Sequence, residues 1–154
     1  MERIAGHLVS DVLLVRLDPE KLLLEGLREV IRAEGIRTGI VVSGIGTLSD
    51  CRIHHTIAGY PPRLSGRRVE HLELKGSDEI SSIQGRIVEG EPHLHVTIAD
   101  VQGSVARQWE EGCQVLTLAE VAISRTSGTQ VRRVTRGPAR IRQLTVAEEP
   151  SARW

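Results

Sequence analysis

Only one segment of this chain carries a helical period, which confines the fold to a sheet accompanied by a single main helix. In "RLDPEKLLLEGLREVIRAEGIRTG", Leu23, Leu24, Leu27, Val30 and Ile31 recur at helical spacing and form one apolar stripe. Asp18 suits the N-cap, Pro19 the first helical position and Glu20 the positive end of the helix dipole. Gly35 fits the C-terminal stop, so the pattern predicts a helix from about Pro19 to Glu34. Most of the rest reads as strand: "HLVSDVLLVRL" before the helix, "GIVVSGIGTLSDCRIHHTI" after it, then Val69 to Leu74, Glu79 to Val88, His93 to Ala99, Gln114 to Ser124, Thr129 to Val134 and Ile141 to Val146. Many short strands around one helix make a mainly antiparallel α+β domain.

A chain of 154 residues, 40% of them hydrophobic, is long enough for one domain with a proper core and too short for two. We read residues 1–146 as that domain and 147–154 as a C-terminal tail. Cys51 and Cys113 belong to no CxxC pair and read as buried small hydrophobes. No stretch approaches ~18 uninterrupted apolar residues, and the N-terminus lacks a basic region followed by a long apolar run. A cytoplasmic protein without a membrane partner is the expectation.

Charge narrows the partners. Twenty basic and twenty acidic residues cancel, so binding to nucleic acid needs a local patch. One exists: between Val121 and Ala147 there is no acidic residue, while Arg125, Arg132, Arg133, Arg136, Arg140 and Arg142 supply six positive charges. Arginines this dense suit phosphate contact, and equally suit a solvated strand face that discourages aggregation. Arg132, Arg133 and Arg136 are the candidate DNA-binding residues. "TRGPAR" is not an AT-hook, since Pro138 follows Gly137 without an intervening arginine. Tyr60, Trp109 and Trp154 are too few aromatics for a base-stacking platform, so sequence-specific readout is not expected.

Chemistry concentrates in "EPHLHVTIADVQGSVARQWEEGCQV", where His93 and His95 fall on one face of a predicted strand and could begin a metal site. Glu79 reads as a structural carboxylate bonded to backbone or Arg, or else as a base or ligand. Glu120 lies in an apolar run, where an unpaired carboxylate is costly, and is expected to be buried against an arginine of the same or a neighbouring subunit. "SGIGTLSD" lacks the later glycine and the lysine of a phosphate loop and reads as a turn.

The segments "RLDPEKLLLEGLREVIRAEGIRTGIVVSGIGTLSD", "GSDEISSIQGRI", "PHLHVTIAD" and "EGCQVLTLAEVAI", in this order, resemble the plants and prokaryotes conserved domain (PPC), prokaryotic type, over about Asp11 to Leu144. The resemblance implies an antiparallel sheet packed with a helix or two, a homotrimer, and a fold similar to that of acetolactate decarboxylase, in which three histidines hold zinc. It also implies a link to DNA: plant members accompany AT-hooks, and bacterial and archaeal members are described as candidate DNA-binding proteins. Many prokaryotic members resemble a pattern of His-x-His followed by Gly-Gly-His-Leu and a Glu-Gly-Cys-like segment. Setting Glu111 to Cys113 on that segment places Gln108 at the third histidine.

A neutral amide is a poor substitute for the third nitrogen, so His93 and His95 imply no cofactor or weakly bound zinc unless His54, His55 or Glu79 completes the set. Where plant members resemble Gly-Arg-Phe-Glu-Ile-Leu, this chain has Gly76 to Ser81 with polar residues at the Phe and Leu positions, so the plant-type hydrophobic partner surface is not expected. The expected function is a DNA-binding or regulatory homotrimer without its own AT-hook, with weak, non-specific contact. The alternative is a metal-dependent enzyme on a small carbonyl or carboxylate substrate.

Overall fold

The structure, a computed structural model, describes residues 7–58, 67–128, 130–137 and 140–147. The elements run β1 (His7–Leu17), α1 (Leu23–Ala33), β2 (Thr38–Ile57), β3 (Arg68–Val88), β4 (Glu91–Asp100), β5 (Gly103–Trp109), β6 (Gln114–Ser127), β7 (Val131–Arg136) and β8 (Ile141–Val146). Six strands form one antiparallel sheet in the order β1-β6-β2-β3-β4-β5. Pairing of Ile53 with Trp109 and of His54 with Gln108 brings β5 back onto β2, closing β2 to β5 into a ring. β7 and β8 form a separate two-stranded ribbon. The α+β class and the single mainly antiparallel domain stand; the 148–154 part of the expected tail lies outside the described residues.

Helix α1 packs against β1, β4 and β6 and seals one side of the core. Leu23, Leu24, Leu27 and Ile31 are the stripe it buries. Leu23 and Leu27 are wholly inaccessible, each burial stabilising by roughly 1.5–3 kcal/mol. The stop is as expected: Gly35 takes φ 62°, its N–H donates to Arg32 O and that of Ile36 to Ile31 O, a Schellman close with buried Ile36 against Ile31.

The helix start differs from the sequence expectation. Asp18 is not the cap; its carboxylate pairs with Arg16 at 3.1 Å, and Leu22 occupies the N-cap position. The backbone just before the helix is taken by β6 instead. Glu20 N–H donates to Val115 O, Val115 N–H to Lys21 O and Leu23 N–H to Cys113 O, each at 2.9 Å. Satisfied by a strand, residues 20–22 have no need of the helical ladder.

Two further differences have local causes. "SGIGTLSD" is not a turn but the interior of β2, where register shifts flank Gly46. Such bulges bend a strand without ending it. The predicted strands on either side of Gly76 are one continuous β3, with its irregularity opposite the one between Leu48 and Asp50.

Candidate functional site

Along β4, Leu94, Val96 and Ile98 turn into the core, which sends His93 and His95 to the opposite face. Their rings lie 5.5 Å apart between centroids, tilted by 53°. Gly85 of β3 sits between the residues that pair with them, Gln84 with His95 and Arg86 with His93. A Cβ at Gly85 would fall 2.1 Å from the His93 carbonyl oxygen, so glycine there lets the strands close at the histidine pair.

Gln108 is brought to this site by β5, a strand the sequence reading missed. The Asp100 carboxylate accepts from the N–H groups of Gln102 and Gly103 at 2.7 and 3.0 Å, and the chain reverses in two residues. That Asp-x-x-Gly turn was the available signal. The hairpin register sets Gln108 opposite His95, and ring closure sets it opposite His54. His54 in turn stacks obliquely on His71, centroids 5.6 Å apart. Gln108 thus stands between two histidine pairs.

The donor set does not fit a three-nitrogen zinc centre as it stands. The nearest further imidazole, His54, directs Nδ1 at the Glu110 carboxylate. Among the described residues no three His, Cys, Asp or Glu side chains converge. Burial, then Arg133, His95, His54 and Arg142, pushes the His93 pKa down, so its ring is neutral near pH 7. His55 faces Glu70 in the register, 4.0 Å away. Glu79 is exposed, five residues along β3 from the partner of His95.

The arginine segment divides by face. Val131, Arg133 and Thr135 pair with Val146, Leu144 and Arg142, so Arg133 and Arg142 share one side of the ribbon. That side covers a cavity of about 190 Å³ whose lining includes His93, Gln108, Arg28, Arg133 and Arg142. Arg132 and Arg136 share the other side, and Arg136 donates to Thr145 Oγ1 at 3.3 Å. The Glu89 carboxylate, at the tip of the β3–β4 turn, accepts from the Arg133 backbone N–H at 3.3 Å and ties the ribbon to the sheet. Arg125 is held apart, paired with Glu34.

At the cavity, Arg28 is engaged by Glu91 at 2.6 Å and by Glu111. The guanidinium of Arg133 meets other influences: burial, then Arg142 and Arg86, lower its pKa. Sequence reasoning singled out neither Arg28 nor the inward side of Arg142, because both assignments depend on long-range packing.

Two other expectations resolve here. Glu120 is exposed in the single chain, with Arg16 as its cross-strand neighbour, so it is not buried within one subunit: on β6 the inward positions are Ala119, Val121 and Ile123. Cys51 and Cys113 are buried, as read, and the fold brings their sulfurs to 3.5 Å; Cys113 Sγ also accepts from Arg52 N–H at 3.0 Å. The neighbouring thiol and burial push the Cys51 pKa up, keeping it protonated. Among the described residues no helix is long and apolar enough to cross a membrane.

The family model of the Plants and Prokaryotes Conserved (PCC) domain, the PPC domain above, matches residues 5–127. Among curated proteins the chain is 29% identical over 111 residues to the Bifunctional protein GlmU of Synechococcus sp. (strain JA-2-3B'a(2-13)), covering 71% of this chain and 16% of that protein. The chain therefore spans about a sixth of the length of the curated relatives it matches. Among solved structures, a PPC protein of Pyrococcus horikoshii superposes with a TM-score of 0.73 at 26% identity, over 97% of this chain and 98% of that one. A metal-containing protein of Archaeoglobus fulgidus does so with a TM-score of 0.79 at 19% identity, over 94% and 99%. A candidate DNA-binding protein of Bacteroides thetaiotaomicron matches with a TM-score of 0.74 at 13% identity, over 92% and 96%.

Proposed function

Since the chain belongs to the Plants and Prokaryotes Conserved family, we propose that it is a homotrimeric DNA-binding module that holds duplex DNA by its phosphates, with no AT-hook of its own. The observation that carries this reading is the β7–β8 ribbon. Its strands and turn contain five arginines and no carboxylate, and its strands pair with each other and not with the main sheet. A two-stranded ribbon is one of the elements that fits the major groove, and arginine on its outer side suits phosphate oxygens. The side of the ribbon away from the cavity carries half-buried Arg132 and exposed Arg136, with exposed Arg140 at the turn; Arg133 faces the cavity and contributes less. The name of the Bacteroides protein agrees with this reading. A cytoplasmic location goes with it, and the free thiols of Cys51 and Cys113 accord with that.

The trimer rests on the family resemblance and on an uncovered apolar sheet face. Val12 and Leu14 on β1, and Val42 and Ile45 on β2, are 54–79% exposed in the single chain. Copies of the same chain are the occupants we assign to that face.

Fluorescence anisotropy with unrelated duplexes of equal length tests the function. Similar weak affinities are expected, roughly 10⁻⁴ to 10⁻⁶ M, as for phosphate contact without base readout. The second reading, a metal-dependent enzyme on a small carbonyl or carboxylate, draws support from the adjacent His93 and His95 rings and requires stoichiometric metal in purified protein.

A further inference from the structure

Beyond duplex binding, we propose that the cavity beneath the ribbon is a second site, for a small oxyanion, held between the guanidinium groups of Arg133 and Arg142 with His93 and Gln108 beside it. The ligand class is a short-chain carboxylate or inorganic phosphate; planar or tetrahedral, each offers the paired oxygens that a guanidinium fork binds.

Charge at the cavity is balanced in number and divided in space. Arg28 already serves two carboxylates, Glu91 and Glu111, and Glu110 is turned to His54. Those acids have partners other than Arg133 and Arg142. Among the described residues, neither Arg133 nor Arg142 has a carboxylate within ion-pair distance. Burial first, and then the like charges of Arg142 and Arg86, disfavour the charged form of Arg133.

Gathering like charges over a half-buried cavity costs free energy that no residue at this end offsets, and a bound anion would offset it. The ribbon is also held in place for the task. Glu89 fixes the backbone of Arg133, and the cross-strand register carries Arg142 along with it on the same face. At about 190 Å³ the cavity admits a molecule of a few heavy atoms and excludes a duplex, which separates this site from the outer arginines. The imidazole of His93 and the amide of Gln108 line the same cavity and supply hydrogen bonds to the remainder of such a ligand.

Isothermal titration calorimetry of the full chain with inorganic phosphate, and separately with malonate and pyruvate, tests the site. Saturable binding of at least one probe is expected, and comparing the arms tells phosphate from carboxylate. Arg142→Gln, a change at an exposed residue, should weaken it about tenfold or more, as loss of a charge-assisted fork does, and Arg133→Lys should weaken it with the charge kept. Arg136→Gln, on the opposite face, should leave the affinity unchanged. Absence of saturable binding with all three probes at millimolar concentration overturns the site. So does binding that survives Arg142→Gln, or that falls equally with Arg136→Gln, which would assign it to the ribbon's general charge. Duplex titrations on the same variants keep this result separate from the fate of the DNA reading.

Discussion

Gln108 on β5 and His95 on β4 are direct cross-strand partners, and the register on the other side of Gln108 reaches His54. The residue that separates this site from a three-imidazole centre therefore lies between histidines already in place. Wild-type protein should carry little zinc after purification, whereas Gln108→His should raise occupancy by restoring a third nitrogen beside His93 and His95. Elemental analysis of both proteins checks this. Full zinc in the wild type, lost on His95→Ala, would show that a different ligand set is at work.

Asp78 provides a stability test through pH. It is 7% exposed on β3, and among the described residues its Oδ2 meets no hydrogen-bond partner. Burial, then the Asp100 carboxylate, raises its pKa. A carboxyl whose folded pKa lies above its unfolded one stabilises fully below the unfolded value, and that contribution is lost as pH rises through the folded one. Ionised Asp78 is thus a cost at neutral pH. Asp78→Asn should raise Tm at pH 7 by roughly 2–4 °C per kcal/mol recovered, with the gain vanishing near pH 3. Thermal unfolding at the two pH values decides; a lower Tm at pH 7 would mean that the carboxylate has a partner.

Much of this architecture was legible because it is encoded locally. The stripe from Leu23 to Ile31 and the stop at Gly35 are properties of one turn and its neighbours, and β-branched alternation marked most strands. What was missed depends on distant groups. The helix begins late because Cys113 and Val115 occupy the backbone before it, and nothing near Asp18 signals that. β5 is short of β-branched residues and is defined by its partners, so only the Asp100 turn announced it. His93, His95, Gln108 and His54 could be named from pattern and resemblance, but the pairing of His54 with His71 needed the β2–β3 register and its place beside Gln108 needed ring closure. The split of the arginines between two faces followed only from the register of β7 with β8.

Assembly is tested at the exposed edge. Leu14 is 79% exposed on β1, an end strand of the sheet. Light scattering should give the mass of three chains at micromolar concentration, and Leu14→Glu should lower it, since a charge buried in a subunit contact is costly. Far-UV circular dichroism should be unchanged by the substitution. A monomer mass for the wild type removes the trimer.

The salt dependence of duplex binding tests the proposed function most directly. Each phosphate contact contributes about 0.9 to the slope of log K against log salt concentration. Anisotropy titrations across a salt series should show weak binding that falls steeply with salt. Replacing Arg132 and Arg136 together by Ala should weaken all duplexes alike and flatten the slope by about two units for each ribbon engaged. No binding at low salt, or an unchanged slope in the double variant, would contradict phosphate contact by the ribbon.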